Sequence, residues 1–276
     1  MVAVGTGLDD LGPSTTIPTT TPAETIAATV AALEAAGPLD AVGIGCFGPV
    51  DLRPGSPTWG FITATPKPGW SHTDVAGPIG AALGVPVAFD TDVGAAAMGE
   101  QRWGAGADVG SSCYVTVGTG IGGAFIVDGA VRHGMLHAEM GHQRIPHDRA
   151  ADPFPGSCPF HGDCWEGLAS GPALAARWGR PGTELPDNHE AWTLEAVYLA
   201  AGLGNLALVL SPERIVLGGG VGQRPSLLGP VRRELVRLLG GYLELPPVER
   251  FVVTPALAGR AGILGAIALA ERVGSR

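Results

Sequence analysis

The sequence predicts an α/β protein made of two strand-and-helix sets, and three observations carry that prediction. Short apolar runs bounded by glycine alternate with longer stretches of helical periodicity. The alternation restarts at about Ser112, after a break near 105–112. Two of the later apolar runs are separated by so few residues that only a hairpin can join them. A chain of 276 residues suffices for one large domain or two modest ones.

Met1 to Gly5 reads as a short strand. Thr21-Pro22-Ala23-Glu24 has the residues of a helix start, with threonine as N-cap, proline at the first helical position and glutamate at the third. Ile26, Val30 and Leu33 share one face of that helix, and Gly37 ends it. Ala41–Cys46 reads as a buried strand, with a turn at Gly48-Pro49 and a Pro/Gly-rich loop over 63–70. A helix over about 74–83 leads to strand Val85–Asp90 and then a small-residue helix from Gly94 to Trp103. In the second set, strands Cys113–Val117 and Ala124–Val127 flank a glycine-rich turn, and an irregular segment runs to Cys164. Helices over 165–178 and 190–210 follow, then strand Ile215–Leu217, three glycines, a helix over 226–239, strand Phe251–Val253 and a last helix over 260–272. No short-period repeat is present.

Composition narrows the partners. Net charge is −9 and Lys67 is the only lysine, so no basic stripe is available for nucleic acid. The sequence reading finds no apolar run of about 20 residues, as a membrane span needs, and no export signal, so it expects a cytoplasmic protein. An acidic chain can still hold a nucleotide through backbone amides and a divalent cation.

Four segments could carry chemistry. Gly118, Gly120 and Gly123 match the dinucleotide pattern G-x-G-x-x-G, but Ala124–Val127 reads as a strand where that pattern needs a helix. The turn is therefore either a plain hairpin or a cradle of free N–H groups for phosphates. Asp92 lies between a strand and a helix, where a catalytic carboxylate is common; helix capping by Asp92 or Asp90 is the simpler reading. Gly218-Gly219-Gly220 allows close approach to the backbone at a strand end, or is a flexible turn. Cys158, His161 and Cys164 are spaced as zinc ligands, with His142 and His147 both candidates for the fourth position. Cys46 and Cys113 read as small buried hydrophobes, and His72, His133, His137 and His189 as surface or packing residues.

Together these segments resemble the ROK sugar kinases, most closely the zinc-containing bacterial fructokinase branch, from residue 1 to about 270. The most specific piece is Cys158–Ala173; Gly43–Asp51, Thr63–Lys67, Glu139–His142 and Ile215–Val221 support it. The resemblance implies an actin/hexokinase-like fold of two ribonuclease-H-like halves. These would be residues 1–110, completed by 260–276, and a larger part over 111–259. It implies ATP-dependent phosphorylation of a hexose, with D-fructose preferred and the 6-hydroxyl as acceptor, and with Mg²⁺ required. It implies Asp92 as general base, Glu139, His142 and Glu166 on the sugar, and Gly118, Thr119 and Gly120 on phosphate. Pro172, Gly218, Gly219 and Gly220 would wall the adenine nucleotide site. It selects His142 to complete zinc with Cys158, His161 and Cys164, and it implies a homodimer.

Two departures qualify the resemblance. Gly94 stands where the family usually has asparagine. The family's first strand and its Gly-Gly-Thr phosphate loop have no counterpart, since Val2–Gly5 resembles the family's second strand. Loss of that central strand should leave backbone groups unpaired and open a trough in the core. The expectation is that the natural chain starts upstream of Met1 or has been trimmed. The alternatives are a sugar- and zinc-binding member without phosphoryl transfer, and a transcriptional regulator of the same family.

Overall fold

The computed structural model describes residues 1–274, which divide into two compact units: residues 1–108, 126–137 and 256–274, and residues 109–125 and 138–255. In chain order the elements are α1 (Pro22–Glu34), β1 (Val42–Cys46), β2 (Phe61–Ile62), β3 (Thr73–Asp74), α2 (Ala76–Leu83), β4 (Val87–Thr91) and α3 (Asp92–Trp103). They continue with β5 (Ser111–Val117), β6 (Ile121–Val127), β7 (Ala130–Val131), α4 (Trp165–Ala169), α5 (Gly171–Trp178) and α6 (Ala191–Leu210). The last are β8 (Arg214–Gly218), α7 (Gly219–Gly222), α8 (Pro225–Leu239), α9 (Val248–Phe251), β9 (Val252–Val253) and α10 (Ala261–Gly274).

Local chemistry sets most of these boundaries. Thr21 and Glu24 form a reciprocal capping box at the start of α1. Gly84, Gly179 and Gly240 end α2, α5 and α8 in the left-handed conformation that favours glycine. The single helix expected over 165–178 is two: Ser170 is extended and its hydroxyl accepts from Ala173 N–H at 3.3 Å, restarting the helix at Gly171-Pro172. Phe251, expected in a strand, closes the helical turn α9 instead, its N–H donating to Pro247. The expected strand at Met1–Gly5 is reduced to one bridge, Val2 with Thr15. One helix does reach span length, contrary to the sequence reading. It is α6, with 20 residues and a mean hydropathy of 1.6 over its window, 61% of which is buried. Its Leu199, Leu203 and Leu206 belong to the core of the second unit, as expected of a core helix.

In the second unit the strand order is β6-β5-β8-β9, with β5, β8 and β9 parallel, and β5 pairs with β8 in the register Thr116 to Gly218. The end of β6 pairs with β7 inside the first unit. The core of the second unit gathers Val115, Val117, Trp165, Leu168, Leu174, Leu217 and Leu235.

In the first unit β1 pairs in parallel with β4. Here glycines govern packing. Cβ atoms added at Gly43 and Gly265 would meet the carbonyls of Ala266 and Ala95, so α10 lies directly against β1 and α3. Glu100, at the end of α3, is buried and accepts N–H groups of Ala105, Ala256 and Leu257, each at 2.8–2.9 Å. Along β1 runs a cavity of about 840 Å³.

Gly265→Ala should force α3 and α10 apart and lower stability by about 1–3 kcal/mol. An earlier urea or thermal transition would show it; an unchanged transition would contradict this packing.

Candidate functional site

The segment from His142 to Cys164 folds back on itself through short backbone bonds. Cys158 and Gly162 exchange N–H···O bonds at 3.1 and 2.9 Å, and Gly162 has φ +63°. Trp165 N–H donates to Gln143 O at 3.0 Å, which fixes Cys164 and His142 relative to each other. The result is one cluster: Nδ1 of His142 lies 3.6 Å from Cys164 Sγ and 3.8 Å from Cys158 Sγ, and His161 Nδ1 lies 3.7 Å from Cys158 Sγ. One ligand atom from each of the four residues fits within 4.8 Å of the others. Zn–S and Zn–N bonds of about 2.3 and 2.05 Å at tetrahedral angles put S and N about 3.5 Å apart. The two-sulfur, two-nitrogen set therefore fits a tetrahedral ion of zinc's character.

His147, the other candidate for the fourth position, has a different task. Its Nδ1 meets Asp163 Oδ2 at 3.2 Å and its Nε2 meets Asp152 O at 3.0 Å. Asp163 also accepts from Arg144 and Arg149, each at 2.6 Å. The hydrogen bonds from His147 and Arg149 hold its pKa down at about 2. Asp152 carries the brace inward, accepting the Tyr198 hydroxyl at 2.6 Å and lying 3.3 Å from Arg177 Nε. Sequence reasoning missed Arg144, Arg149, Asp152 and Asp163, since salt links within an irregular loop leave no periodic signal.

The glycine segments of the second unit also meet. Gly118, Thr119 and Gly120 form the turn between β5 and β6, with Gly118 N–H bonded to Gly120 O at 2.9 Å. Gly171 N–H, beside Pro172 at the start of α5, donates to Gly118 O at 2.7 Å. Gly218 ends β8 and Gly219 and Gly220 open α7, so the three glycines form an ordered helix start rather than a loose turn. Gly219 has φ +83°, and a Cβ there would meet the Val117 backbone. A Cβ on Gly118 would lie 4.0 Å from Gly220 N. Three backbone segments thus converge. Glu166 links this region to the Cys/His cluster, because its Oε2 accepts Ile121 N–H at 2.9 Å from the helix that follows Cys164. Glu139 is exposed at the start of the 3₁₀ turn 140–142 that carries His142.

Asp92 belongs to the first unit. Neither it nor Asp90 caps α3: Thr91 is the N-cap, accepting Gly94 N–H at 2.8 Å. Asp90 is buried and lies 2.8 Å from His133 Nε2, a partnership the sequence did not indicate. A Cβ at Gly94 would press on the Asp90 carboxylate, which explains the glycine there. Asp92 lines the cavity beside β1, open to water yet crowded by protein. Its pKa is raised, chiefly by desolvation, against the opposing N–H groups of Val93 and Asp92. Of the other histidines, His137 accepts Val50 N–H at 3.1 Å and His189 accepts Ala191 N–H at 3.1 Å, both packing roles. Cys46 and Cys113 are buried as expected, and burial pushes each thiol up to about 12.

An α/β pair of units with a glycine cradle and a Cys/His cluster defines a class, and comparison with known proteins gives the family. The ROK family profile matches residues 11–273. A fructokinase from Zymomonas mobilis is 47% identical over 233 residues, 83% of this chain and 76% of its own length. One from Streptococcus mutans is 42% identical over 241 residues, 86% of this chain and 82% of its own. A ROK hexokinase structure from Thermus thermophilus aligns with a TM-score of 0.74 at 28% identity, covering 95% of this chain and 89% of that one. A ROK family glucokinase from Streptomyces griseus, solved with glucose and AMPPNP, aligns at 0.66 and 30% identity, covering 89% and 88%. The chain belongs to the ROK family, and its fold is of the actin/hexokinase type.

Replacing Cys164 by serine or His161 by alanine should leave the chain with little bound zinc after dialysis, while His147→Ala should retain it. Metal analysis distinguishes the two classes; full zinc in both ligand variants would remove the assignment.

Proposed function

We propose that this chain is an ATP-dependent hexose kinase that phosphorylates D-fructose on its 6-hydroxyl. The observation that carries the reading is 38–47% identity to several proteins named fructokinase, across about four-fifths of the chain. In the second unit, the glycine turn Gly118–Gly120 and the helix start at Gly218–Gly220 converge with Gly171-Pro172, a backbone arrangement of the kind that accommodates phosphates and adenine nucleotide. Mg²⁺ accompanies the nucleotide. Glu139, His142 and Glu166 hold sugar hydroxyls. His142 also belongs to the zinc set with Cys158, His161 and Cys164. Zinc, when bound, supplies an anchor that fixes the imidazole's tautomer and ring angle.

In the reaction, Asp92 accepts the proton of the sugar hydroxyl as its oxygen attacks the γ-phosphorus. The bond from that phosphorus to the β-bridging oxygen breaks, and ADP leaves. A raised pKa suits a general base, and a base must be ionised to act. Activity should therefore fall on the acid side at a pH above the ordinary carboxylate range. The two folding halves are taken as residues 1–110 with 260–276, and 111–259. The enzyme is placed in the cytoplasm as a homodimer.

A second reading, sugar and zinc binding without phosphoryl transfer, draws on the open cavity beside β1, which Asp92 lines. An ADP-release assay across fructose, glucose and mannose separates the two. Turnover greatest with fructose supports the kinase; none with any hexose, alongside sugar binding, supports the second reading. Asp92→Asn should lower kcat by about 10²–10⁴-fold and leave sugar affinity largely intact. Full turnover in that variant would exclude Asp92 as the base.

A further inference from the structure

Two backbone segments bring the Cys/His ligands together, and both are seated on one stretch of α6. Gly202 and Asn205 are three residues apart and share a face of that helix. A Cβ on Gly202 would collide with the indole of Trp165, so the ring of the residue after Cys164 rests directly on the helix backbone. One turn further on, Asn205 Nδ2 lies 2.8 Å from Gln143 Oε1 and 3.1 Å from Arg144 O, in the two residues that follow His142. Gln143 joins the segments. Its carbonyl accepts Trp165 N–H at 3.0 Å while its side chain faces Asn205.

The donor inventory fixes the direction of these bonds. Arg144 O can only accept, so the Asn205 atom against it is the amide nitrogen. That same nitrogen faces Gln143, which must answer with its oxygen. The Gln143 Nε2 is then turned into the protein, buried with no protein partner among the described residues. The turn that carries His142 is weakly closed by itself, since Gln143 N–H reaches Met140 O only at 3.4 Å. The backbone beside the imidazole is therefore set by the bond to Trp165 and by the anchor on α6.

We propose that Asn205 is the positioning residue of this site: from α6 it fixes the ring angle of His142, and with it the metal geometry and the hold on a sugar hydroxyl. The inference rests on the reading of His142 as a residue shared by zinc and sugar. The hydrogen bonds of Asn205 end on Gln143 and Arg144, so it acts only through the segment it holds. Partners that orient a metal ligand in this way govern affinity almost as strongly as the ligands do.

Asn205→Leu keeps the approximate volume and removes the donor, and Asn205→Asp keeps the shape while setting an acceptor against Arg144 O. Each full chain is compared with the unaltered protein and with Thr193→Ala, an exposed change on the same helix. Zinc dissociation constants from chelator competition should rise about 10–100-fold in both Asn205 variants and stay unchanged in Thr193→Ala. With cobalt in place of zinc, the visible ligand-field bands should shift in the Asn205 variants. Loss of stability alone would not shift them, because the molecules still folded would keep the unaltered spectrum. KM for fructose should rise by a larger factor than kcat falls. Unchanged zinc affinity and an unchanged cobalt spectrum in Asn205→Leu overturn the proposal. So does weaker zinc binding with an unshifted cobalt spectrum in both variants, which would mark Asn205 as a support of the fold only. The metal measurements need no turnover: an unaltered chain that releases no ADP removes the kinase reading, and the cobalt comparison still decides the role of Asn205.

Discussion

The parallel pairing of β5 with β8 is the constraint on which the second unit's candidate site depends. Its register sets Thr116 beside Gly218, so both strands end together and their following turns share one end of the sheet. Gly219 can then lie against the backbone of Val117 only because it lacks a side chain and tolerates φ +83°. Gly171 closes the same region through its bond to Gly118. A slip of one residue would turn each side chain of β5, buried on both faces, into the wrong layer and separate the turns.

The Cys/His loop is tied to that sheet end by one carboxylate. Glu166 bonds to Ile121 N–H directly after the glycine turn, while Cys164, two residues earlier, contributes to the cluster. The loop's outer side is held by charge. Asp163 gathers Arg144, Arg149 and His147, and Asp152 passes the contact inward to Tyr198 and Arg177. Exposed ion pairs contribute little singly, so the shared acceptor and the buried side chain of His147 matter more than their number.

The first unit balances close helix packing against an open edge. Gly43, Gly99 and Gly265 let α10 approach β1 and α3 until backbone meets backbone. Glu100 anchors the chain before α10 by accepting the N–H groups of Ala256 and Leu257, and its buried carboxylate also accepts Ala105 N–H just after α3. Asp92 stands where this tight packing ends and the cavity begins, which leaves it wet enough to exchange protons and dry enough for a raised pKa.

Much was legible in the sequence because it is encoded locally. Thr21-Pro22 and Glu24 specify the start of α1 through bonds within one turn, and the apolar runs around 42–46, 113–117 and 215–217 become strands whatever their partners. The spacing of Cys158, His161 and Cys164 is likewise fixed by a tight loop. Spacing alone could not choose between His142 and His147, because that choice depends on where Asp163 and Asp152 lie after folding. Nor could it reveal that Thr91 rather than an aspartate caps α3, or that Asp90 pairs with His133 across 43 residues. The length of α6 was readable, but its burial was decided by the strands and helices packed around it. Short-range bonds are written in neighbouring residues; partners distant in the chain exist only once the sheet brings them together.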